Sequence, residues 1–231
     1  MKTGILLVDK PSGPTSHDVV SWARRRFHIR RIGHTGTLDP LASGLLILLI
    51  GRENTKKQEQ FLKLDKQYEV TLRFGAESDT YDAEGTIVAN AGVDPLSKDQ
   101  LESALRSFVG EQQQAVPPFS AVKVKGQALY KRARAGKTIA ETPVRTIVIQ
   151  QLELLEFDWP NATLSVACSS GTYVRSLVHD LGKTLGVGAY VTALRRTAIG
   201  EYSLADATLC PVIFPKPPRA TETNRGDRVR Q

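Results

Sequence analysis

The chain has 231 residues, a length that fits one large domain or two small lobes, and 41% of its residues are hydrophobic against 24% charged. That balance is typical of a globular protein with a sizeable core. The 31 Lys and Arg residues outnumber the 24 Asp and Glu residues, so the formal net charge is +7 at pH 7. A basic chain suggests a polyanionic partner such as nucleic acid, although the charge can also serve solubility alone.

The composition and the motifs argue against several other classes of protein. The two cysteines, Cys168 and Cys210, form neither a CxxC pair nor a disulfide framework, which fits a reducing compartment. The longest apolar run, LLILLI, is far shorter than a membrane span of about 20 residues, and the N-terminus lacks a signal-peptide pattern. The histidines lack metal-ligand spacing, and the chain has no glycine-rich nucleotide-binding motif. We therefore expect a cytoplasmic protein that uses no metal or cofactor and does not contact the membrane.

The first predicted elements are a strand, a helix and a second strand. GILLVDK is typical of a buried strand, and Thr15 with Asp18 forms the capping-box pattern that begins a helix. The end of that helix, WARRRFHIRR, holds five arginines and no acid. A loop follows, in which Gly33 and Gly36 are expected to adopt positive φ, and then comes a buried strand from Leu45 to Ile50.

The rest of the chain predicts further strands and helices around a basic insertion. KQYEVTLRFG alternates as a half-buried strand, ESDTYDAEG is an acidic loop, and Ser97 to Phe108 is a capped amphipathic helix. VRTIVIQQLELLEF and ATLSVAC are strands, GTYVRSLVHDLGKTLG is a helix, and AYVTALRRTAIG is a strand or turn. The segment at about 119–145 reads as an exposed basic arm, or alternatively as a solvated surface hairpin. We predict one domain over residues 1–209 and a disordered, basic, Pro-rich tail over 210–231.

Asp39 is the most unusual residue of this pattern, because it lies between a polar glycine-rich loop and a strand of Leu and Ile. An unpaired carboxylate beside a buried strand costs several kcal/mol, on the order of the burial penalty of a polar group. Pro40 biases Asp39 toward an extended conformation, which suits a rigidly held nucleophile or general base, but the pattern alone favours an ordinary turn residue. Arg175 and Lys10 are the candidate cationic partners. Arg175 stands at the start of a helix, where a cation is unfavourable unless it faces an anion or is simply exposed.

Six segments in order resemble the bacterial TruB family of tRNA pseudouridine synthases. They are GILLVDKPSGPTSHDVV, GHTGTLDPLASGLLILLIG, DKQYEVTLRFG, PPFSAVKVKGQALYKRARAG, CSSGTYVRSLVHDLG and ALRRTAIG, and they span Gly4 to about Gly200. The resemblance implies an α+β fold with a central, mostly antiparallel mixed sheet flanked by helices. It also implies an isomerase that converts the uridine at position 55, in the T-loop of tRNA, to pseudouridine without a cofactor or metal.

The resemblance assigns roles to individual residues. Asp39 matches the catalytic aspartate, Arg175 the arginine that pairs with it, and Tyr68 the tyrosine that stacks on the target base. The ion pair would keep Asp39 charged in a desolvating pocket. Leu194 matches an apolar position of the pocket wall. Whether Asp39 attacks a carbon of the substrate or removes a sugar proton does not follow from the sequence.

Other residues are implied to bind the substrate or to support the site. His34 matches a residue that enters the RNA when the target base is flipped out, although it could equally cap its own loop. Lys10 and Pro11 match a motif that packs behind the active-site loop, and Tyr173 completes the expected substrate-binding set.

The basic arm corresponds to a thumb that closes on the T-arm of tRNA, and WARRRFHIRR is a second candidate phosphate track or a solvated helix end. Many family members carry a C-terminal PUA domain; we expect this chain to consist of a catalytic domain and a short tail without one. We expect a monomer.

Two other functions fit the same charge pattern. A non-catalytic RNA-binding protein or tRNA folding chaperone would use the basic arm and His34, but it would have no use for Asp39, Tyr68 and Arg175 together. A synthase acting on a different RNA is the third possibility, and the thumb-like arm favours tRNA over it.

Overall fold

The computed structural model describes residues 3–124, 126–135 and 142–210, and one sheet of ten strands organises this part of the chain. The strands are β1 (Gly4–Lys10), β2 (Ile32–His34), β3 (Ser43–Ile50), β4 (Lys66–Phe74), β5 (Ala76–Ser78), β6 (Ile87–Ala89), β7 (Gly110–Ala115), β8 (Lys123–Val124), β9 (Gln127–Ala128), β10 (Val144–Asp158), β11 (Asn161–Cys168), β12 (Ala189–Ile199), β13 (Tyr202–Ser203) and β14 (Thr208–Leu209). The helices are α1 (Ser16–Phe27), α2 (Arg52–Thr55), α3 (Gln58–Leu62), α4 (Lys98–Ser107), α5 (Leu129–Arg134) and α6 (Val174–Thr184).

The large sheet is mixed but mainly antiparallel. Its order is β14-β1-β3-β12-β4-β11-β10-β7, with β2 beside β3 and β13 beside β12. Only the β1–β14 and β3–β12 pairs are parallel, and each of them joins two residues of one strand to two of the other. The predicted α+β class, with a mixed central sheet and flanking helices, is confirmed.

Hydrophobic side chains cover both faces of this sheet. On β4, Tyr68, Val70, Leu72 and Phe74 alternate with more exposed neighbours and share the largest core cluster with α4 and α6. A second cluster lies where α1 packs against β1 and β3, and a third includes Phe61 of α3. This arrangement explains why β3 is buried almost along its whole length, since it is covered on both faces and both edges.

The two predicted capping boxes are present. Thr15 Oγ1 accepts a hydrogen bond from the Asp18 amide (3.1 Å), and the Asp18 carboxylate accepts one from the Thr15 amide (2.8 Å). Ser97 and Gln100 make the same reciprocal pair at the start of α4. Each pair satisfies amide groups that the first helical turn leaves without a partner, and so fixes where the helix begins.

Three features differ from the sequence-based expectations. The segment at 32–34 forms β2, so the loop begins later than predicted. The basic arm is not wholly exposed, because Leu129 is fully buried and Ser120 nearly so. Cys210, which the sequence assigned to the tail, is buried, and its amide donates to the Asp9 carbonyl (3.3 Å).

Some predicted regions lie outside the described residues, namely position 125 and residues 136–141 of the basic arm and residues 211–231 of the tail. The longest described helix has 12 residues, so none of the helices in this part of the chain could cross a lipid bilayer.

Candidate active site

β2 and β12 share one edge of β3, and the loop that carries Asp39 leaves the sheet in the gap between them. β2 pairs near the end of β3 and β12 near its start, while β1 pairs along the whole opposite edge. In the gap, the Thr35 amide donates to the Ile47 carbonyl (3.1 Å) and the Arg196 Nε donates to the Leu45 carbonyl (2.8 Å). Buried carbonyls are therefore satisfied without a strand, which lets the chain turn outward at this point.

Two glycines permit this geometry. Gly36 has φ +94°, and the Arg196 Nη2 donates to its carbonyl at 3.2 Å. Gly44 has φ +99°, and a Cβ there would lie 2.3 Å from the Arg196 carbonyl oxygen, so only glycine allows β3 and β12 to approach so closely. The expectation of a positive φ at Gly33 is wrong, because Gly33 belongs to β2 and pairs with Leu49.

The backbone of the Asp39 loop is clamped from behind. The Ser16 hydroxyl both accepts from the Leu38 amide (2.8 Å) and donates to the Leu38 carbonyl (3.0 Å). On the other side of Asp39, the Pro40 carbonyl accepts from the Gly13 amide at 2.8 Å. These contacts fix the backbone on both sides of Asp39 without using its side chain.

Lys10 supports the same loop from within the protein. Its ammonium is fully buried and donates to the carbonyls of Pro11 (2.9 Å), Pro14 (2.8 Å) and Pro40 (3.5 Å). Burial lowers the pKa of Lys10 to about 8, and the negative charge of Asp39 partly opposes that shift. Lys10 and Pro11 thus lie behind the loop, as the resemblance implied, and Lys10 does not itself contact the Asp39 carboxylate by an ion pair.

Arg175, at the start of α6, contacts each of the loops that surround Asp39. Its Nη2 lies 2.9 Å from the Asp39 carboxylate and its Nη1 lies 3.4 Å from the Asp82 carboxylate. Nη1 also donates to the Thr80 carbonyl (2.6 Å), and Nη2 to the Phe119 carbonyl (3.1 Å). The side chain is only 6% exposed, so this buried guanidinium holds together the Asp39 loop, the acidic loop and the base of the basic arm.

The sequence did not identify Asp82, because ESDTYDAEG has the composition of an ordinary acidic surface loop. The structure buries it: one carboxylate oxygen accepts from the Thr80 hydroxyl (2.6 Å) and from the Glu84 amide (3.0 Å), and the other faces Arg175. The Asp82 side chain is 5% exposed, whereas that of Asp39 is 43% exposed. A buried charge requires a partner, but Asp39 already supplied one for Arg175, so the sequence carried no signal for a second acid.

Aromatic stacking ties the acidic loop to α6 a second time. Tyr81, between Thr80 and Asp82, has φ +64° and stacks on His179 with ring centres 3.9 Å apart and planes 10° from parallel. His179 lies one helical turn after Arg175. The strained backbone conformation of Tyr81 is thus held by the same helix that presents the arginine.

Tyr68 and Leu194 form the floor of the site. They project from β4 and β12 on the same side of the sheet, where both are about 9% exposed. Burial raises the pKa of the Tyr68 hydroxyl above its usual value, and the nearby Arg196 guanidinium opposes that shift. Tyr68 is therefore a neutral aromatic surface beside the Asp39–Arg175 pair.

The remaining predicted residues surround this centre. His34 ends β2; its carbonyl accepts from the Gln58 amide group at 2.8 Å, and burial lowers the pKa of its ring. Tyr173 precedes α6 and is held through its backbone by both ends of the Gln114 side-chain amide (2.8 and 3.0 Å). The Arg145 guanidinium lies 5.9 Å from the Tyr173 ring centre. Tyr173 thus fixes where the helix of Arg175 begins.

An open cavity of about 270 Å³ adjoins this centre. It is lined by Ser12, Leu41, Ser43, Glu69, Thr71, Thr192, Ala193, Leu194 and Arg195. Leu194 belongs both to this lining and to the floor beside Tyr68, whereas Asp39 and Arg175 are not part of the lining. The cavity is therefore distinct from the ion pair and shares only Leu194 with the predicted site residues.

Comparisons with known proteins identify the fold and the family. The chain superposes on a structure described as an H/ACA RNP bound to a substrate RNA containing 2′-deoxyuridine, with 26% identity and a TM-score of 0.67 over 89% of this chain and 50% of the other. It superposes on a Cbf5-Nop10-Gar1 complex with 29% identity and a TM-score of 0.69, over 90% and 52% of the two chains. The chain thus spans about half the length of these solved structures.

Sequence comparison is more specific. Residues 24–174 match the family described as TruB family pseudouridylate synthase (N terminal domain), and residues 175–212 match the tRNA pseudouridylate synthase B C-terminal domain. A tRNA pseudouridine synthase B from Opitutus terrae is 47% identical over 88% of this chain and 84% of its own length. One from Pseudomonas aeruginosa is 48% identical over 89% of this chain and 66% of its own length.

The fold and the sequence matches therefore define a pseudouridine synthase, an isomerase that acts on uridine in RNA. Within that class, the chain belongs to the TruB family, since the family models cover most of it and relatives are nearly half identical to it.

Proposed function

We propose that this enzyme converts the uridine at position 55 of the tRNA T-loop to pseudouridine, with Asp39 as the reacting carboxylate. The relatives from Opitutus terrae and Pseudomonas aeruginosa are both described as tRNA pseudouridine synthase B, which supports tRNA as the substrate. The observation that carries the assignment of Asp39 is its geometry. It is paired with buried Arg175 at 2.9 Å and yet remains 43% exposed, so a substrate can reach it.

The reaction breaks the bond between N1 of uracil and C1′ of the ribose, rotates the base and joins C5 to C1′. The proton on C5 is lost and N1 gains one, so substrate and product are isomers and neither an oxidant nor water is consumed. Asp39 either attacks a substrate carbon and later leaves, or removes a proton from the sugar; both roles require an ionised, correctly aimed carboxylate. Arg175 holds that carboxylate in place.

The other residues bind and position the nucleotide. The target base must leave the folded T-loop to reach Asp39, at the cost of its stacking. In this proposal Tyr68 stacks on the flipped base, Leu194 packs against it, and His34 enters the space it vacates. Tyr173 orders the start of α6, and the basic arm closes on the T-arm phosphates. The enzyme acts as a cytoplasmic monomer.

The experiment that tests this function uses an unmodified tRNA transcript, the wild-type enzyme and the Asp39→Asn variant. Pseudouridine is located by carbodiimide treatment followed by primer extension, and a transcript with cytidine at position 55 is the substrate control. We expect a stop at position 55 with the wild type only. A stop with both proteins would mean that another carboxylate reacts. No stop with either protein, despite tight and salt-sensitive binding, would favour the RNA chaperone instead.

A further inference from the structure

An arginine-rich surface lies where β2 begins, and β2 leads on to His34 and the Asp39 loop. Between Val19 and Leu38 the chain has five arginines and no lysine, aspartate or glutamate. Arg24 has a structural role, since its Nη2 donates to the Ile32 carbonyl at 3.0 Å and ties α1 to β2. Arg25 is exposed but already interacts with a neighbouring group; Arg26, Arg30 and Arg31 are exposed, as is Arg52 at the start of α2. We call these last four residues the arginine face.

Backbone pairing gathers residues of the arginine face that are distant in sequence. α1 ends at Phe27, and the left-handed conformation of the next residue, His28 (φ 56°), turns the chain so that Arg30 and Arg31 lead into β2. β2 pairs with the end of β3, and the Gly51 amide donates to the Arg31 carbonyl at 2.8 Å. Arg52 follows directly, so it lies next to Arg30 and Arg31.

The charge of this surface is not neutralised within the part of the chain that the structure describes. No carboxylate there lies within 4.0 Å of Arg26, Arg30, Arg31 or Arg52. The acids of the neighbouring α2 and α3, Glu53 and Glu59, instead pair with Lys56 (3.4 Å) and Lys63 (2.9 Å). A face kept only for solubility normally pairs both signs of charge, whereas these four arginines have no carboxylate partner among the described residues.

The chemistry of the arginine face fits phosphate. Guanidinium groups bind phosphate oxygens through two parallel hydrogen bonds and are less strongly hydrated than ammonium groups. The position fits as well. Arg31 immediately precedes β2, and the chain from Arg31 to His34 covers about 10 Å at about 3.3 Å per residue. The loop after His34 then leads to Asp39. A strand that delivers a base to Asp39 would pass this face within a few nucleotides.

We propose that the arginine face binds backbone phosphates of the substrate RNA next to the nucleotide that enters the cleft. This inference rests on the proposed function for the identity of the RNA. It adds a second electrostatic surface, formed by α1, β2 and α2, to the basic arm on the other side of Arg175. The two surfaces would hold the RNA from both sides of the reacting nucleotide.

The test compares Arg30→Gln/Arg31→Gln with a matched control, Lys98→Gln/Arg106→Gln. The control removes two exposed positive charges from α4, which packs against β10 toward the opposite end of the sheet. Affinity for an unmodified tRNA transcript is measured from 50 to 200 mM KCl, and the single-turnover rate of pseudouridine formation is measured at saturating enzyme. Arg52→Gln serves as a second variant from a different element, and circular dichroism verifies folding.

We expect the Arg30→Gln/Arg31→Gln variant to bind about tenfold more weakly at 100 mM KCl. The slope of log affinity against log salt should fall by about 1.5, since each phosphate contact contributes about 0.7 to 0.9. The single-turnover rate of this variant at saturating enzyme should equal that of the wild type. The control variant should match the wild type in affinity, salt slope and rate. Unchanged affinity and slope in a folded, active variant would overturn the proposal, and so would a loss of rate without a loss of affinity. If the wild type itself formed no pseudouridine, the proposed function would fail, while the binding comparison would still decide whether this face contacts RNA.

Discussion

The Asp39 loop and the acidic loop at 78–85 both bring a carboxylate to Arg175, and they hold it in opposite ways. In the Asp39 loop the backbone is clamped by Ser16 and Gly13, while the carboxylate is 43% exposed. In the acidic loop the Asp82 carboxylate is itself bound by Thr80 and Glu84 and is 5% exposed. The same residue type thus serves two purposes, since an accessible carboxylate can react and a bound one can only position its partner.

Arg175 is the common partner of the two carboxylates. Arg175 is buried between two acids, so each acid reduces the cost of burying it, and it in turn fixes the direction of the exposed one. Changes in the acidic loop should therefore affect catalysis through the position of Arg175, whereas changes at Asp39 should affect the chemistry directly.

Arg175→Met should have the largest effect on both loops. It leaves Asp82 as a buried, unpaired charge, which costs about 3–5 kcal/mol of the free energy of unfolding, and it lowers the single-turnover rate on the order of a thousandfold. The double variant Arg175→Met/Asp82→Asn should recover part of the stability in urea unfolding but none of the rate. Recovery of the rate would show that Arg175 serves only to neutralise Asp82.

Asp82→Asn tests the positioning role with less damage. Asparagine keeps the size and can still accept from the Glu84 amide, while the charge facing Arg175 is lost. We expect the rate to fall about 10- to 100-fold and the stability by about 1–3 kcal/mol, with unchanged tRNA affinity. A rate loss as large as that of Asp39→Asn would contradict the assignment of Asp82 as a positioning residue.

Lys10 gives the Asp39 loop a pH dependence. Its pKa of about 8 means that its positive charge behind Asp39 is present at neutral pH and lost above about pH 8, so wild-type kcat/KM should decline there by up to about tenfold. Lys10→Met should lower kcat/KM at pH 7 and abolish this decline. The pKa of Lys66 is also lowered to about 8 by burial, so Lys66→Met is the control and should keep the decline.

The loss of the Lys10 charge cannot itself cause such a decline by unfolding the protein, because its own effect on stability has the opposite sign. The pKa of Lys10 is lower in the folded protein than in the unfolded chain, so between about pH 8 and 10.5 the unfolded chain binds more protons at this site. The contribution of Lys10 to stability therefore increases with pH across this range. A decline accompanied by loss of folded protein would contradict this explanation.

His179→Ala should give the smallest effect. It removes the ring that stacks on Tyr81 at 3.9 Å, a contact worth about 0.5–1.5 kcal/mol, and so loosens the loop that carries Asp82. We expect a several-fold lower kcat at unchanged KM, and His179→Phe, which keeps a stacking ring, should restore it. Equal rates for wild type and His179→Ala would show that the Tyr81–His179 stack does not help to position Asp82.

The local elements could be predicted from the sequence because local chemistry determines them. The Thr15 and Ser97 capping boxes begin helices, and the alternation through Tyr68 predicts the buried face of β4. The partners that meet from distant segments were harder to predict. Asp82 looks like a surface residue until β12 and α6 bury its loop, and β2 forms only because the end of β3 offers a free edge.

The most direct test of the account is the single-turnover rate of pseudouridine formation by Asp39→Asn, with tRNA affinity measured on the same preparation. The substitution keeps the size of an accessible side chain and removes the charge that both proposed roles require. We predict a rate at least about 10⁴-fold below wild type, with affinity within about twofold. A rate within a factor of about 100 of wild type would contradict the claim that the exposed carboxylate on Arg175 is the reacting group.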